Sequence, residues 1–262
     1  MSKKTTRNMG TEVADEPEFG SIADAQAQTL PVPAAQVNHA VALNTDNRGM
    51  EEVDSTDLII PRAQLLQPTA EGLRQLTADY GVGAGDVINN LTKEKLAAGF
   101  VPIFYYKEAL RFNPRKKDAP GFLAEYAPGK LIWRTRDMND PRVLEQCSFG
   151  PNGEVPVAVT TLNFFSLFDG QAMPVILSFS KTSYKAGKNL LSLAKLRGGA
   201  MFSRRYKLST DEVTNDQGTY FVMKVQPAGD CDPEMFKTTE SYFQQFGMKR
   251  DVLKDHIEEM EA

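Results

Sequence analysis

Cysteine is scarce in this chain of 262 residues: only Cys147 and Cys231 occur, too few for a disulfide framework or a four-cysteine zinc site. That scarcity fits a reducing compartment. Histidine is equally scarce, and neither His39 nor His256 has sequence neighbours from which a metal cluster or catalytic triad could be built. No apolar run approaches the roughly 20 residues that span a bilayer, and residues 1–10 carry charge without the apolar segment of a secretory leader. These absences lead us to expect a cytoplasmic protein that is neither exported nor membrane-inserted, holds no metal and needs no cofactor.

Catalytic motifs are also missing. Gly81, Gly83 and Gly85 alternate, but they fail the spacing of the dinucleotide and phosphate-loop fingerprints and read as a turn. Ser178 and Lys181 match a Ser-x-x-Lys spacing without the other elements of the acyl-transfer enzymes that use it. Glu108, Asp118, Glu125, Asp137, Asp140, Glu145 and Glu154 form no spaced carboxylate motif. The expectation is a protein that binds and does not turn over a substrate.

Residues 1–54 are rich in Ala, Thr, Asn, Gln, Pro and acids with no sustained period of 2 or 3.6, the composition of a disordered arm. The folded part is expected over 55–229. It opens at Leu58-Ile59-Ile60-Pro61, and Ala63–Gln67 fits a helical turn or an extended segment. Strands rich in Val, Ile, Phe and Tyr are expected at 86–91, 99–112, 130–136, 155–168 and 171–180, with a hairpin turn at Asp169-Gly170. A helix fits 181–197, with Ser180 as N-cap and Gly198-Gly199 as the stop. Strands at 203–213 and 219–226 close the domain through Asn215-Asp216-Gln217-Gly218. Strands, one helix and a closing strand pair lack the alternation of a doubly wound sheet. The expected fold is mostly β (α+β), a small barrel with one inserted helix, in the layout of oligonucleotide-binding (OB) barrels.

The net charge of −4 hides a segregation of signs. Between Gly170 and Thr210 there is no Asp or Glu, whereas Lys181, Lys185, Lys188, Lys195, Arg197, Arg204, Arg205 and Lys207 all fall there. On a helix, Lys181, Lys185, Lys188 and Lys195 share one narrow arc, and Ala186, Leu190, Leu193 and Leu196 are expected opposite. On the next strand, period 2 sends Arg205 and Lys207 to solvent and groups Arg204 with Phe202, Tyr206 and Leu208. Arg204 then marks a strand end, a bulge or an arginine stacked on Tyr206. Tyr184, Tyr206 and Tyr220 lie near this surface. Cations with flat side chains between them are what single-stranded nucleic acid requires. The alternative is the solvated face of an amphipathic helix over a tyrosine-containing core.

A second cluster comprises Arg111, Arg115, Lys116 and Lys117 in a proline-containing loop, with Trp133, Arg134 and Arg136 after it. It extends the nucleic-acid grip, or else it is a solvated loop beside a core tryptophan. From Asp211 the balance reverses, acids such as Asp230, Asp232, Glu234, Glu258 and Glu259 facing only Lys224, Lys237, Lys249, Arg250 and Lys254. Residues 230–262 read as an acidic helical extension. It serves either as a tail that competes for the basic groove and recruits partners, or, through Val252, Leu253, Ile257 and Met260, as a docked or oligomerising helix.

Residues 57–62 (Asp-Leu-Ile-Ile-Pro-Arg), Leu65-Leu66-Gln67, Leu177-Ser178-Phe179 with Thr182, Ser183 and Lys185, Phe202–Tyr206 and Asn215–Tyr220 form a series. This series resembles a group of bacteriophage proteins similar to phage single-stranded-DNA-binding proteins of OB type, over residues 55–229. The resemblance implies a non-catalytic, sequence-nonspecific binder of single-stranded DNA in phage replication or recombination, working in the host cytoplasm. The expected partners besides single-stranded DNA are phage replication proteins, through the acidic end, and further copies of the chain in a homo-oligomer. The chain departs from the best-known phage binders, which end in a dense acidic run and an aromatic residue; this one ends Glu258-Glu259-Met260-Glu261-Ala262. The rivals are a virion or assembly protein whose basic face binds another protein, and a metal-dependent accessory nuclease.

Overall fold

The computed structural model describes Glu52, residues 59–216 and residues 218–247. All lie in the larger of two units into which the chain divides, His39–Ala262. Apart from Glu52, the expected arm falls outside the described residues, as do residues 248–262 with the apolar positions Val252, Leu253, Ile257 and Met260.

In chain order the elements are β1 (Arg62–Leu65), α1 (Leu73–Tyr80), β2 (Val87–Asn89), β3 (Gly99–Phe112), β4 (Leu131–Thr135), α2 (Pro141–Gln146), β5 (Val159–Phe168), β6 (Val175–Phe179), α3 (Tyr184–Arg197), β7 (Arg204–Asn215), β8 (Gly218–Asp230) and α4 (Pro233–Tyr242). The strands form one sheet in the order β2-β1-β6-β5-β3-β7-β8, with β4 paired to the far end of β3. All pairs are antiparallel except β1 with β6. The sheet curls without closing, giving a half-barrel with few helices.

Central strands differ from edge strands in their burial. From Thr161 to Phe168 every residue of β5 is buried, so the strand is covered on both faces and reads as a nearly unbroken apolar run. In β7 burial alternates from Tyr206 to Leu208 and fades beyond, because only Gly99 and Phe100 of β3 pair with it before the β7–β8 ribbon continues alone.

On the inner face, Phe100, Leu162, Phe164, Phe168, Leu177, Phe179, Tyr206 and Leu208 form a core with Ala186 and Leu190 of α3. Because α3 touches β5, β6 and also β8, strands far apart in the sheet order, it sits inside the curl. Gly187 lets it come that close: a Cβ there would stand 2.8 Å from Phe179 Cβ and 3.0 Å from Leu162 Cδ1. On the outer face, Ile103, Phe104, Tyr106, Phe165, Leu167 and Ile176 pack with Tyr242 of α4, and Phe243 and Phe246 of the π turn that follows it. A smaller cluster of Leu66, Val82 and Ile88 lies beneath Leu73 and Leu76 of α1.

A β-bulge sets these two faces. Register against β5 shifts between Pro102 and Phe104, and the inserted residue, Ile103, flips the alternation. Phe100 therefore belongs to the inner core and Phe104 to the outer one. Proline suits the site because it has no N–H for the ladder.

The open seam between the two ends of the sheet is bridged by side chains. The Gln67 amide donates to Phe221 O (2.9 Å) and accepts from Phe221 N (2.9 Å), imitating a strand partner, and the Thr210 hydroxyl donates to Gly85 O (2.8 Å). Gly85, at φ 89°, leaves the space that the Phe221 ring occupies; a Cβ would meet Phe221 Cε1 at 2.7 Å.

Several expectations need adjusting. Residues 63–65 are strand, which settles the choice left open for Ala63–Gln67 in favour of the extended form. The strands expected from 155 and 171 begin at Val159 and Val175. Residues 181–183 form a 3-10 turn, and the α-helix starts at Tyr184. The helices α1 and α2 were not anticipated. Residues 233–247, read as the start of an acidic extension, pack on the outer face of the sheet.

Candidate nucleic-acid interface

The lysine arc exists and faces solvent. Lys181, Lys185, Lys188 and Lys195 are exposed, whereas Ala186, Gly187 and Leu190 are buried against the sheet. Among the described residues none of the four has a carboxylate partner. Lys181 stands in the 3-10 turn with φ 46°, a left-handed position that a lysine adopts at some cost. Ser180 makes no side-chain cap. Instead the Ser183 hydroxyl accepts from Met223 N (3.0 Å), tying the start of α3 to β8. The leucine side is narrower than expected, since Leu196 is 87% exposed. At 100° per residue Leu196 falls about 20° from Lys185, on the lysine arc.

The sequence reading placed Tyr184 here and missed Tyr105 and Lys107. Tyr105 and Tyr184 both pack on the inner core, and Tyr105 tilts against Phe164 with centroids 5.3 Å apart. Burial pushes the Tyr105 phenol up, and the neighbouring Tyr184 pushes it further. Lys188 Nζ lies 5.7 Å from the Tyr184 ring centroid. Lys107, exposed, pairs in register with Leu162, a core residue beneath α3. Tyr105, Lys107, Tyr184 and Lys188 thus bring flat rings and ammonium groups to one rim. The signal was hidden because the bulge at Ile103 breaks period 2 just before Tyr105 and Lys107.

Strand β7 behaves differently from what was expected. Tyr206 is 1% exposed, its ring 6.0 Å from that of Phe100, so it is core and offers no surface to a base. Arg204 marks both a strand start and a bulge, with the register shifting between Arg204 and Tyr206, and it pairs with Asp230. Arg205 pairs with Asp169. Asp169 lies just outside the acid-free run in sequence, whereas Asp230 comes from the end of β8 and meets Arg204 across the β7–β8 pair. Lys207 is exposed, but it alternates with Tyr206 and Leu208, which point toward α3, so it faces away from the helix. One surface was expected, and the structure divides it between two faces.

The second cluster is remote from α3. Arg111 lies eleven residues along β3 from Phe100, about 35 Å at strand rise. Its guanidinium donates to Gln146 Oε1 (3.0 Å) and Gly121 O (3.0 Å). Trp133, opposite Arg111 in register, donates through Nε1 to the same Gln146 Oε1 (3.2 Å), and Arg142 covers its ring at 5.2 Å. These two residues hold α2 against the β3–β4 hairpin. Lys116 is exposed in the loop between the strands.

Among the described residues no three His, Cys, Asp or Glu side chains converge as metal ligands, and no helix is long and apolar enough to cross a membrane. Burial chiefly pushes the Cys231 thiol up to about 11, which leaves it a poor nucleophile.

A mostly β half-barrel filled by a lysine-bearing helix is thus the class of protein that fold and surface define. A family model described as Pam3 phage gp34-like protein matches residues 28–250, and the chain belongs to that family, among phage proteins. No curated protein and no solved structure matches it.

Proposed function

We propose that this protein binds single-stranded DNA through the exposed rim of α3, without catalysis or strong sequence preference, in phage replication or recombination in the host cytoplasm. The observation that carries the reading is the arc of Lys181, Lys185, Lys188 and Lys195, exposed and without carboxylate partners among the described residues, beside Tyr184 and Tyr105. Phosphates release counterions on meeting the ammonium groups, and bases stack on the tyrosines. The curl with a helix between β6 and β7 supports kinship with OB barrels, in a larger and open form. Arg204, Arg205, Tyr206, Arg111 and Trp133 leave the proposed site because each has a structural partner. Lys107 and Tyr105 join it.

Fluorescence anisotropy of a labelled single-stranded oligonucleotide, with a duplex of equal length as control, tests this. If four phosphates are engaged, log affinity falls with log salt at a slope of about 3. The Lys185→Glu/Lys188→Glu double variant should lose at least tenfold in affinity while keeping its unfolding transition. Duplex preference, salt-insensitive binding or an unaffected double variant would each sink the reading.

One observation favours a protein partner instead. Leu144, Phe149 and Val155 are 63%, 72% and 76% exposed within one short stretch of chain. A virion or assembly protein would use such a surface, and recovery of the chain in purified particles would favour that role.

A further inference from the structure

The outer face of the sheet holds a second cationic site, built quite unlike the first. A polar chain crosses five neighbouring strands there. Arg62 Nη1 on β1 reaches the Ser178 hydroxyl on β6 (3.5 Å), which donates to Asn163 Oδ1 on β5 (2.7 Å). Asn163 Nδ2 donates to Glu108 Oε2 on β3 (3.1 Å), and Glu108 Oε1 is 2.8 Å from Arg134 Nε on β4. Asn163 is 0% and Glu108 2% exposed, and the Arg134 side chain is 10% exposed. The Arg136 guanidinium lies 4.1 Å over the Tyr106 ring beside them.

Both oxygens of Glu108 are used within this chain, yet donors remain. Arg62 Nη2, Arg134 Nη1 and the Thr161 hydroxyl, opposite Glu108 in register, are buried and have no hydrogen-bond partner. A buried unpaired donor costs about 1–3 kcal/mol, more when charged. Desolvation lowers Arg134 from its usual range, and Arg62 and Arg136 lower it further while Glu108 raises it. A group offering several acceptor oxygens would satisfy these donors, and the charges of Arg62, Arg134 and Arg136 against the one carboxylate of Glu108 favour an anion. The donors stand on three strands of one sheet face, β1, β4 and β5, and the several oxygens of a phosphate can serve more of them than the two of a carboxylate.

We infer that the Arg62–Thr161–Arg134 cluster binds a phosphate group, on the sheet face opposite α3 and independently of the lysine arc. The source is either free inorganic phosphate or the terminal phosphate of a nucleic acid.

Calorimetric titration of the full chain with inorganic phosphate tests the site. Saturable binding is expected, weakened tenfold or more in Arg62→Gln and measurably in Thr161→Val, and unchanged in Lys185→Glu/Lys188→Glu. Arg62 and Thr161 serve as probes because removing either leaves the Glu108–Arg134 pair intact. Absence of saturable binding, or equal affinity in Arg62→Gln, overturns the inference. A parallel arm compares a short oligonucleotide with a 5′-phosphate against its 5′-hydroxyl form. A gain from the phosphate that vanishes in Arg62→Gln identifies the nucleic-acid end as the source, and equal binding of the two forms identifies free phosphate. Loss of oligonucleotide binding in the lysine variant with phosphate binding retained would show the two sites failing separately.

Discussion

On the inner face of the half-barrel the cations stand on a helix that fills the curl, with their ammonium groups in solvent and a leucine beneath; on the outer face the guanidiniums lie in the sheet itself, beside asparagine, serine and one buried glutamate. The inner arrangement suits a long, mobile polyanion: exposed lysines cost little to hold apart and contribute mainly through counterion release. The outer one is costly without partners, because buried charge must be matched locally. The same formal charge therefore carries different consequences on the two faces, for stability as well as for binding.

The largest effect that could break this contrast is expected at Glu108. In phosphate-free buffer, Glu108→Gln leaves Arg134 with no carboxylate in a buried setting, and the loss should be about 3–5 kcal/mol by urea unfolding. Any single lysine of the α3 arc replaced by alanine should change stability by no more than about 0.5 kcal/mol. A Glu108→Gln variant as stable as the parent would mean that the outer charges are not matched internally, and the comparison would fail.

A smaller effect tests what holds the inner face. Gly187→Ala places a Cβ 2.8 Å from Phe179 Cβ, between α3 and β6, so helix or strand must shift. Overpacking of this kind costs about 1–3 kcal/mol. Denaturant unfolding should show that loss. A Gly187→Ala variant of unchanged stability would show that α3 rests loosely in the curl and that its lysine arc is not fixed relative to Tyr105.

How much of this was legible depends on which signals were local. The limits of β3 and the turns at Gly170 and Gly218 follow from composition and punctuation, and the lysine arc from helical period. α2 had a signal that went unread, Asp140 capping Arg142 N ahead of Pro141. α1 had less: Gly72 before it is left-handed and makes no side-chain cap, so only Leu73, Leu76 and the closing Gly81 announced it. What sequence could not supply was pairing across the sheet. Arg205 lies in an acid-free run, yet Asp169 reaches it because Gly99, a neighbour of Lys207 in register, also bonds the Asp169 backbone. Glu108 and Arg134 are separated by a whole hairpin, and the bulge at Ile103 decides which face each strand residue sees. Nothing local encodes either.

The smallest expected effect comes from an ion pair at the rim, and it sharpens the comparison from the exposed side. Asp86, before β2, contacts Lys95 Nζ at 2.6 Å, with side chains 24% and 63% exposed, and accepts from Gly83 N at 2.9 Å. Burial alone would raise its carboxyl, but the hydrogen bonds from Lys95 and Gly83, with the Lys95 charge, outweigh it and hold the group below its ordinary 3.8. A carboxyl lowered on folding adds stability above its unfolded value and loses it as pH falls through the folded one. Solvent screening keeps the contribution under about 1 kcal/mol. Unfolding free energies of the parent and Asp86→Asn should therefore differ by a small constant above about pH 5 and converge as pH drops below 3.8. A gap as large as that expected for Glu108→Gln, or one that persists in acid, would mean that exposure does not set the worth of a charge in this protein.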